Sequence, residues 1–145
     1  MTKRRFSFQH ILLAYWLVIV GAYYLYLSLT IMTQHMTLQT LLVSNPLFAL
    51  GILLTSIMLM QTGSLYYVAK FSQSKHGLLG KYLFILFCQQ IITGNLIGAG
   101  LIFMCRNQSK DQTEYATPIE KGIVYGSSVI SISLSLLVLL ILYRT

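Results

Sequence analysis

The chain has 145 residues, a formal charge of +7 and a mean hydropathy of +0.71, with only 9% of its residues charged. A water-soluble domain of this size leaves much of its surface facing solvent and needs charged side chains to cover it. The composition therefore excludes an ordinary soluble domain and places residues 1–145, as a single domain, in the membrane class.

Residues 6–69, 82–105 and 122–143 contain no Asp, Glu, Lys or Arg. Spanning a hydrocarbon core of roughly 30 Å takes about 20 helical residues at ~1.5 Å each. Four segments reach that length: 11–32, 46–69, 82–104 and 122–143. Each is a continuous apolar run rather than a set of alternating strands of about ten residues, so helices are expected and a barrel is not. The expected fold is an all-α membrane protein: four transmembrane helices in an antiparallel bundle, with the N- and C-termini both cytoplasmic.

The first segment follows Lys3-Arg4-Arg5, as a signal peptide would, but its apolar run is too long and ends at Leu27–Met32 without a small-x-small cleavage site. It reads as an uncleaved first helix. Tyr15, Trp16 and Tyr23 lie deep enough within it that their polar tips should find partners inside the bundle. The 33–44 stretch is polar but carries Met36, Leu38, Leu41, Leu42 and Val43, which suits a segment lying on the outer surface. Asn45-Pro46 is a sound opening for the second helix, because Pro at a first helical position loses no hydrogen bond. Residues 70–81, with Gly77 and Gly80, read as a tight inner hairpin, and 105–121 as an outer connection.

Basic residues in short connections set orientation. With four crossings, Lys3, Arg4, Arg5, Lys70, Lys75, Lys81 and Arg144 share one face, while Arg106, Lys110 and Lys121 lie opposite beside Asp111, Glu114 and Glu120. The acid-free face is expected to be cytoplasmic and to attract an anionic inner leaflet, at ~1 kcal/mol per basic group near the surface. The basic residues occupy too little chain to build a nucleic-acid reading element.

Depth along the helices predicts a polar layer. Gln61 of the second segment, Gln89 or Gln90 of the third and Ser135 of the fourth fall at one level, with Asn95 and Thr93 above them near Thr55 and Ser56. Small residues predict close-packing or partner faces: Gly94 and Gly98 on the third helix, and Gly122, Gly126, Ser127, Ser131 and Ser135 on the fourth.

Catalytic and metal chemistry lack their groups. All three acids fall in one connection, and His10, His35 and His76 are spread over opposite faces, so no metal, haem or other cofactor is expected. The serines have no His or Lys at their depth to serve as base. Cys88 and Cys105 are seventeen residues apart on one expected helix, about 25 Å along its axis, and cannot pair with each other. Asn107-Gln108-Ser109 matches a glycosylation acceptor triplet.

The expectation is a non-enzymatic, multi-pass protein of a bacterial plasma membrane. It would act through partners as an accessory, regulatory or immunity-type subunit, the partner being another membrane protein, a second copy or a cytoplasmic regulator. In size, layout and absence of extramembrane domains, the chain resembles the small polytopic inhibitors that some Gram-positive bacteria pair with LytTR-type DNA-binding regulators. That resemblance of gross architecture implies that Lys3–Arg5 and Lys70–Lys81 are where such a regulator would grip. The alternative is a small oligomeric transporter or channel subunit lined by Gln61, Gln89, Gln90 and Asn95.

Overall fold

The computed structural model describes residues 7–110, 114 and 116–144. Their regular elements are six helices: α1 (Phe8–Gln34), α2 (Leu38–Ser44), α3 (Pro46–Phe71), α4 (Leu78–Ile92), α5 (Leu96–Gln108) and α6 (Pro118–Arg144). Three of them, α1, α3 and α6, are long and apolar enough to cross a membrane.

Local chemistry sets the boundaries of these three. α1 stops where His35 turns left-handed at φ 51°, a conformation His tolerates better than most side chains. Asn45 caps α3, its Oδ1 accepting from Leu47 N at 3.1 Å, with Pro46 in the first turn. α6 begins four residues before the expected 122, because Thr117 and Glu120 form a reciprocal capping box. Glu120 Oε2 accepts from Thr117 N at 2.7 Å and Thr117 Oγ1 accepts from Glu120 N at 3.4 Å. The polar segment before α3 forms the short helix α2, capped by Thr37.

The expected third crossing, 82–104, is not one helix. α4 ends in a Schellman motif: Asn95 N donates to Gln90 O at 2.9 Å and Gly94 N to Ile91 O at 3.0 Å, with Gly94 left-handed at φ 77°. Asn95 then caps the next helix, its Oδ1 accepting from Gly98 N at 3.0 Å. The chain reverses there, and α5 returns antiparallel to α4. Phe87 meets Phe103 at 6.2 Å between ring centroids, Arg106 lies over the Phe84 ring at 5.5 Å, and Lys75 N donates to Lys110 O at 3.2 Å. With 15 and 13 residues, the arms are about 22 and 20 Å long, too short to cross a hydrocarbon core of roughly 30 Å. The segment is a helical hairpin that enters and leaves at one end of the bundle.

Its neighbours fix which end. Gln61 and Ser64 of α3 bond Ser131 and Ser127 of α6, an antiparallel register. Tyr23 of α1 bonds the Phe48 carbonyl of α3, and Phe8 N at the start of α1 donates to Gln108 Oε1 at the end of α5 at 2.8 Å. α1 and α6 therefore run in the same direction, and Phe8 and Arg144 lie at opposite ends of the bundle. This corrects two expectations: the 70–81 and 105–121 connections share an end, and Phe8 and Arg144, the first and last helical residues described, do not. Lys70, Lys75 and Lys81 accordingly share their end with Arg106, Lys110, Lys121, Glu114 and Glu120. Lys3, Arg4, Arg5 and Asp111 lie outside the described residues.

The hairpin base is tied down by the backbone groups that α4 leaves open. Leu78 N donates to Glu114 Oε1 at 2.7 Å and Leu79 N to Ser72 Oγ at 3.1 Å, satisfying first-turn donors that Gly77 cannot cap. Gly80 sits so close to the Lys75 carbonyl that any Cβ there would collide with it. Beneath the tip, Leu12, Trp16, Leu65, Val68, Leu83, Leu86, Ile102 and Cys105 belong to one buried cluster. The far half of the bundle holds a smaller one, built on Leu50, Ile57 and Val138.

In a background with Cys88 and Cys105 replaced by Ser, Ser74→Cys with Lys110→Cys is expected to cross-link readily under mild oxidation, because these residues pair across the hairpin base. Electrophoretic mobility before and after reduction reads the result. A continuous helix over 82–104 would keep the two residues on opposite faces and unlinked.

Candidate functional site

At the hairpin tip an unbroken series of side-chain hydrogen bonds joins the three long helices and both arms. Tyr15 Oη of α1 donates to Asn95 Oδ1 at 2.9 Å, and Asn95 Nδ2 donates to Gln90 Oε1 at 2.6 Å. Gln90 Nε2 donates to Gln61 Oε1 of α3 at 3.0 Å, and Gln61 Nε2 to Ser131 Oγ of α6 at 3.3 Å. Gln89 completes the layer, its Nε2 donating to the Ser131 carbonyl at 3.1 Å and to Ser135 Oγ. Gln61, Gln89, Gln90, Ser131 and Ser135 are all buried, so each amide left without a partner would carry a desolvation cost.

The structure brings Gln61, Gln89, Gln90 and Ser135 together at one level, draws in Asn95 from the level above, and adds Tyr15 and Ser131 at the two ends of the series. Sequence depth missed Ser131 as a junction because it counted that residue only as part of a small-residue stripe. Tyr23 also finds a partner: its Oη donates to the Phe48 carbonyl at 2.6 Å while its ring covers Gly51, where an added Cβ would meet it. Trp16 does not follow the expectation. It is fully buried, yet its Nε1 has no hydrogen-bond partner among the described residues.

The glycines depart further from the expected packing faces. Gly94 serves the left-handed turn, with open space around it, and Gly98 lies beneath the amides of Asn95 and Gln90. Gly122 and Gly126 are exposed, with no neighbour near an added Cβ, because the buried stripe of α6 runs through Val124, Ser128, Ser131, Ser135 and Val138. Ser127 bonds Ser64 at 2.9 Å at the edge of that stripe.

Because the hairpin stops at the belt, the far half of the bundle lacks a fourth element to fill it. The result is a cavity of about 310 Å³, floored by Gln61, Gln89, Gln90, Thr93 and Asn95 and walled by Ile19, Tyr23, Leu54, Thr55 and Met58. Its walls are apolar and no charged side chain lines it. Such a surface suits a neutral, largely apolar molecule with one hydrogen-bonding group, and disfavours an ion, whose charge would go uncompensated. Among the described residues, no three His, Cys, Asp or Glu side chains come together as a metal site requires.

Gln61→Leu removes the link between Gln90 and Ser131 and leaves the Gln90 amide short of a partner. It is expected to lower stability by about 1–3 kcal/mol, the cost of an unsatisfied buried group, rather than the ~0.6 kcal/mol of an average interhelical bond. The double variant Gln61→Leu with Gln90→Leu should lose less than the sum of the single losses. Unfolding in detergent measures all three, and strictly additive losses would show that the belt is not one connected unit. No family model matches the chain, and neither a curated protein nor a solved structure shows significant similarity to it.

Proposed function

We propose that this is a non-enzymatic integral membrane protein that works by binding partners, as an accessory, regulatory or immunity-type subunit in a bacterial plasma membrane. The observation that carries the reading is the closed inner half. Below the belt, the hairpin packs against α1, α3 and α6 in one buried apolar cluster, and no ring of charged side chains that would select an ion is found among its members. No ionisable acid or base other than tyrosine or cysteine stands at the depth of the belt, so proton relay and hydrolytic chemistry lack their groups.

In this reading the hairpin end faces the cytoplasm and the end of α6 lies on the other side, with three crossings in all. The distribution of cations supports it: among the described residues Lys70, Lys75, Lys81, Arg106, Lys110 and Lys121 gather at the hairpin end and Arg144 stands alone at the other. The chemistry at that end suits anionic lipid and acidic protein surfaces. A cytoplasmic regulator, of the LytTR type or another, would engage Lys70, Lys75 and Lys81 together with the Lys3–Arg5 segment. The likeness to the LytTR-partnered inhibitors rested on four crossings, so with three it supports the regulator assignment less than it supports binding in general.

A second reading draws on the cavity. Transporter folds place substrate sites at broken helices near mid-membrane, and irregular backbone at that depth is tolerated where it is buried or lines a cavity. An oligomeric transporter would use the amide floor as its site.

Three measurements separate these outcomes. Reporter fusions to the two termini should give opposite compartments, with the N-terminal one cytoplasmic; the same compartment for both would remove the three-crossing topology. Replacing Lys70, Lys75 and Lys81 with Gln should release a bound cytoplasmic partner from the membrane fraction while leaving the protein inserted. Gln90→Leu and Asn95→Leu should leave vesicle permeability unchanged, whereas loss of a solute flux in these variants would favour the transporter.

A further inference from the structure

On the side of the hairpin away from the amide-floored cavity, a cleft of about 400 Å³ opens at the cationic end between α4, α5 and α6. Lys75 and Lys81 supply two of its charges and Arg106 a third, with Tyr125 on the opposite wall. These come from three separate stretches of chain, brought together only because the hairpin returns to its starting end. Among the described residues no carboxylate lines the cleft. The two described acids at this end are engaged with backbone: Glu114 with Leu78 N and Glu120 with Thr117 N. Arg106 is held over the Phe84 ring, and its Nε is buried with no hydrogen-bond partner among the described residues. Gathering cations without a counter-charge is unfavourable, and leaving a guanidinium N–H buried and unbonded adds to it. An anion in the cleft relieves both.

What continues from the cleft identifies the anion's source. Phe84 and Ile85, which form its inner wall, are also the lower end of an apolar groove of about 220 Å³ between α4 and α6. That groove passes Cys88 and Ile132, reaches Gln89 and Ser135 in the belt and continues to Ile92 and Leu136. A cationic mouth at the membrane surface leading into an apolar slot within it matches a molecule with a phosphate head and a hydrocarbon tail. We propose that this protein binds one anionic phospholipid in the α4–α6 groove, its phosphate held by Arg106, Lys75 and Lys81 and an acyl chain lying along Phe84, Ile85 and Ile132. Arg106 acts as the specific ligand, since a planar fork of donors suits phosphate oxygens, and the lysines act as point charges. The site is distinct from the amide-floored cavity and does not depend on either reading of the protein's function.

Native mass spectrometry of the purified protein in detergent tests the assignment, with added phosphatidylglycerol, phosphatidylcholine or inorganic phosphate as probes. The wild type should retain a single phosphatidylglycerol through desolvation and discriminate against phosphatidylcholine. Lys81→Gln and Arg106→Gln should each weaken retention by about fivefold, the value of one cation at the surface. Ile132→Trp, which fills the groove without touching the charges, should weaken it at least as much, whereas Lys70→Gln and Leu137→Trp should leave it unchanged. Lys81 is exposed and only its backbone N–H, which the variant keeps, is bonded among the described residues, so its variant reports binding without a folding defect. Retention lost equally with Lys70→Gln would mean diffuse attraction and overturn the site. Full competition by inorganic phosphate, with Ile132→Trp behaving as wild type, would mean an anion site without a tail and would overturn the phospholipid.

Discussion

Lipid offers no hydrogen bonds, so a helix interrupted within the membrane must find internal partners for every backbone and side-chain group the interruption exposes. In this protein that demand is concentrated on Thr93, Gly94 and Asn95. The Schellman bonds take the carbonyls at the end of α4, and Asn95 takes a first-turn N–H of α5. The polar atoms of Asn95 itself are then passed on, through Gln90 and Gln61, to Ser131 on α6. The belt is thus the condition under which the hairpin can exist at that depth. Its individual bonds are weak, yet they determine how α1, α3 and α6 are rotated about their axes, because each must present one polar side chain to the tip.

The same interruption divides the molecule into unlike halves. Where the hairpin is present, five helical rods share a cross-section and the apolar side chains close over one another. Beyond the tip three remain, and a cavity stands where the others end. The open half is where a neutral molecule or a neighbouring chain would find unfilled volume. Among the described residues Lys70, Lys75, Lys81, Arg106, Lys110 and Lys121 gather at the hairpin end, so the cationic end and the apolar cavity are separated by half the bundle.

Much of this was legible in the residues. The uncharged runs located α1, α3 and α6, Asn45-Pro46 marked the start of α3, and counting residues from the ends of the segments gathered Gln61, Gln89, Gln90 and Ser135 at one level. The reversal was not read, although its signal is in the chain. Gly94 followed by Asn95 is a helix stop followed by a helix start, lying inside an apolar run long enough to cross a membrane. Length favoured a crossing, and Gly94 with Gly98 also fitted a packing motif, so the turn chemistry was outweighed. The misplaced connections have that origin. With 82–104 taken as a crossing, Arg106, Lys110 and Lys121 fall at the end opposite Lys70, Lys75 and Lys81, and Arg144 falls beside those lysines, the reverse of what the structure shows. The capping box at Thr117–Glu120 was readable as well, and it places the start of α6 well before the charge-free run begins.

The hairpin also bears on how such a chain is made. Residues 82–104 have enough apolar length to pass through the bilayer alone, and the partners that hold them folded back are divided between α3, made earlier, and α6, made last. Without α6 packed in place, Gln89 lacks the serine partners that it has in the folded structure. The bonds from α6 therefore favour the folded-back hairpin over a continuous 82–104 helix, so a residue remote in the chain decides the path of an earlier segment.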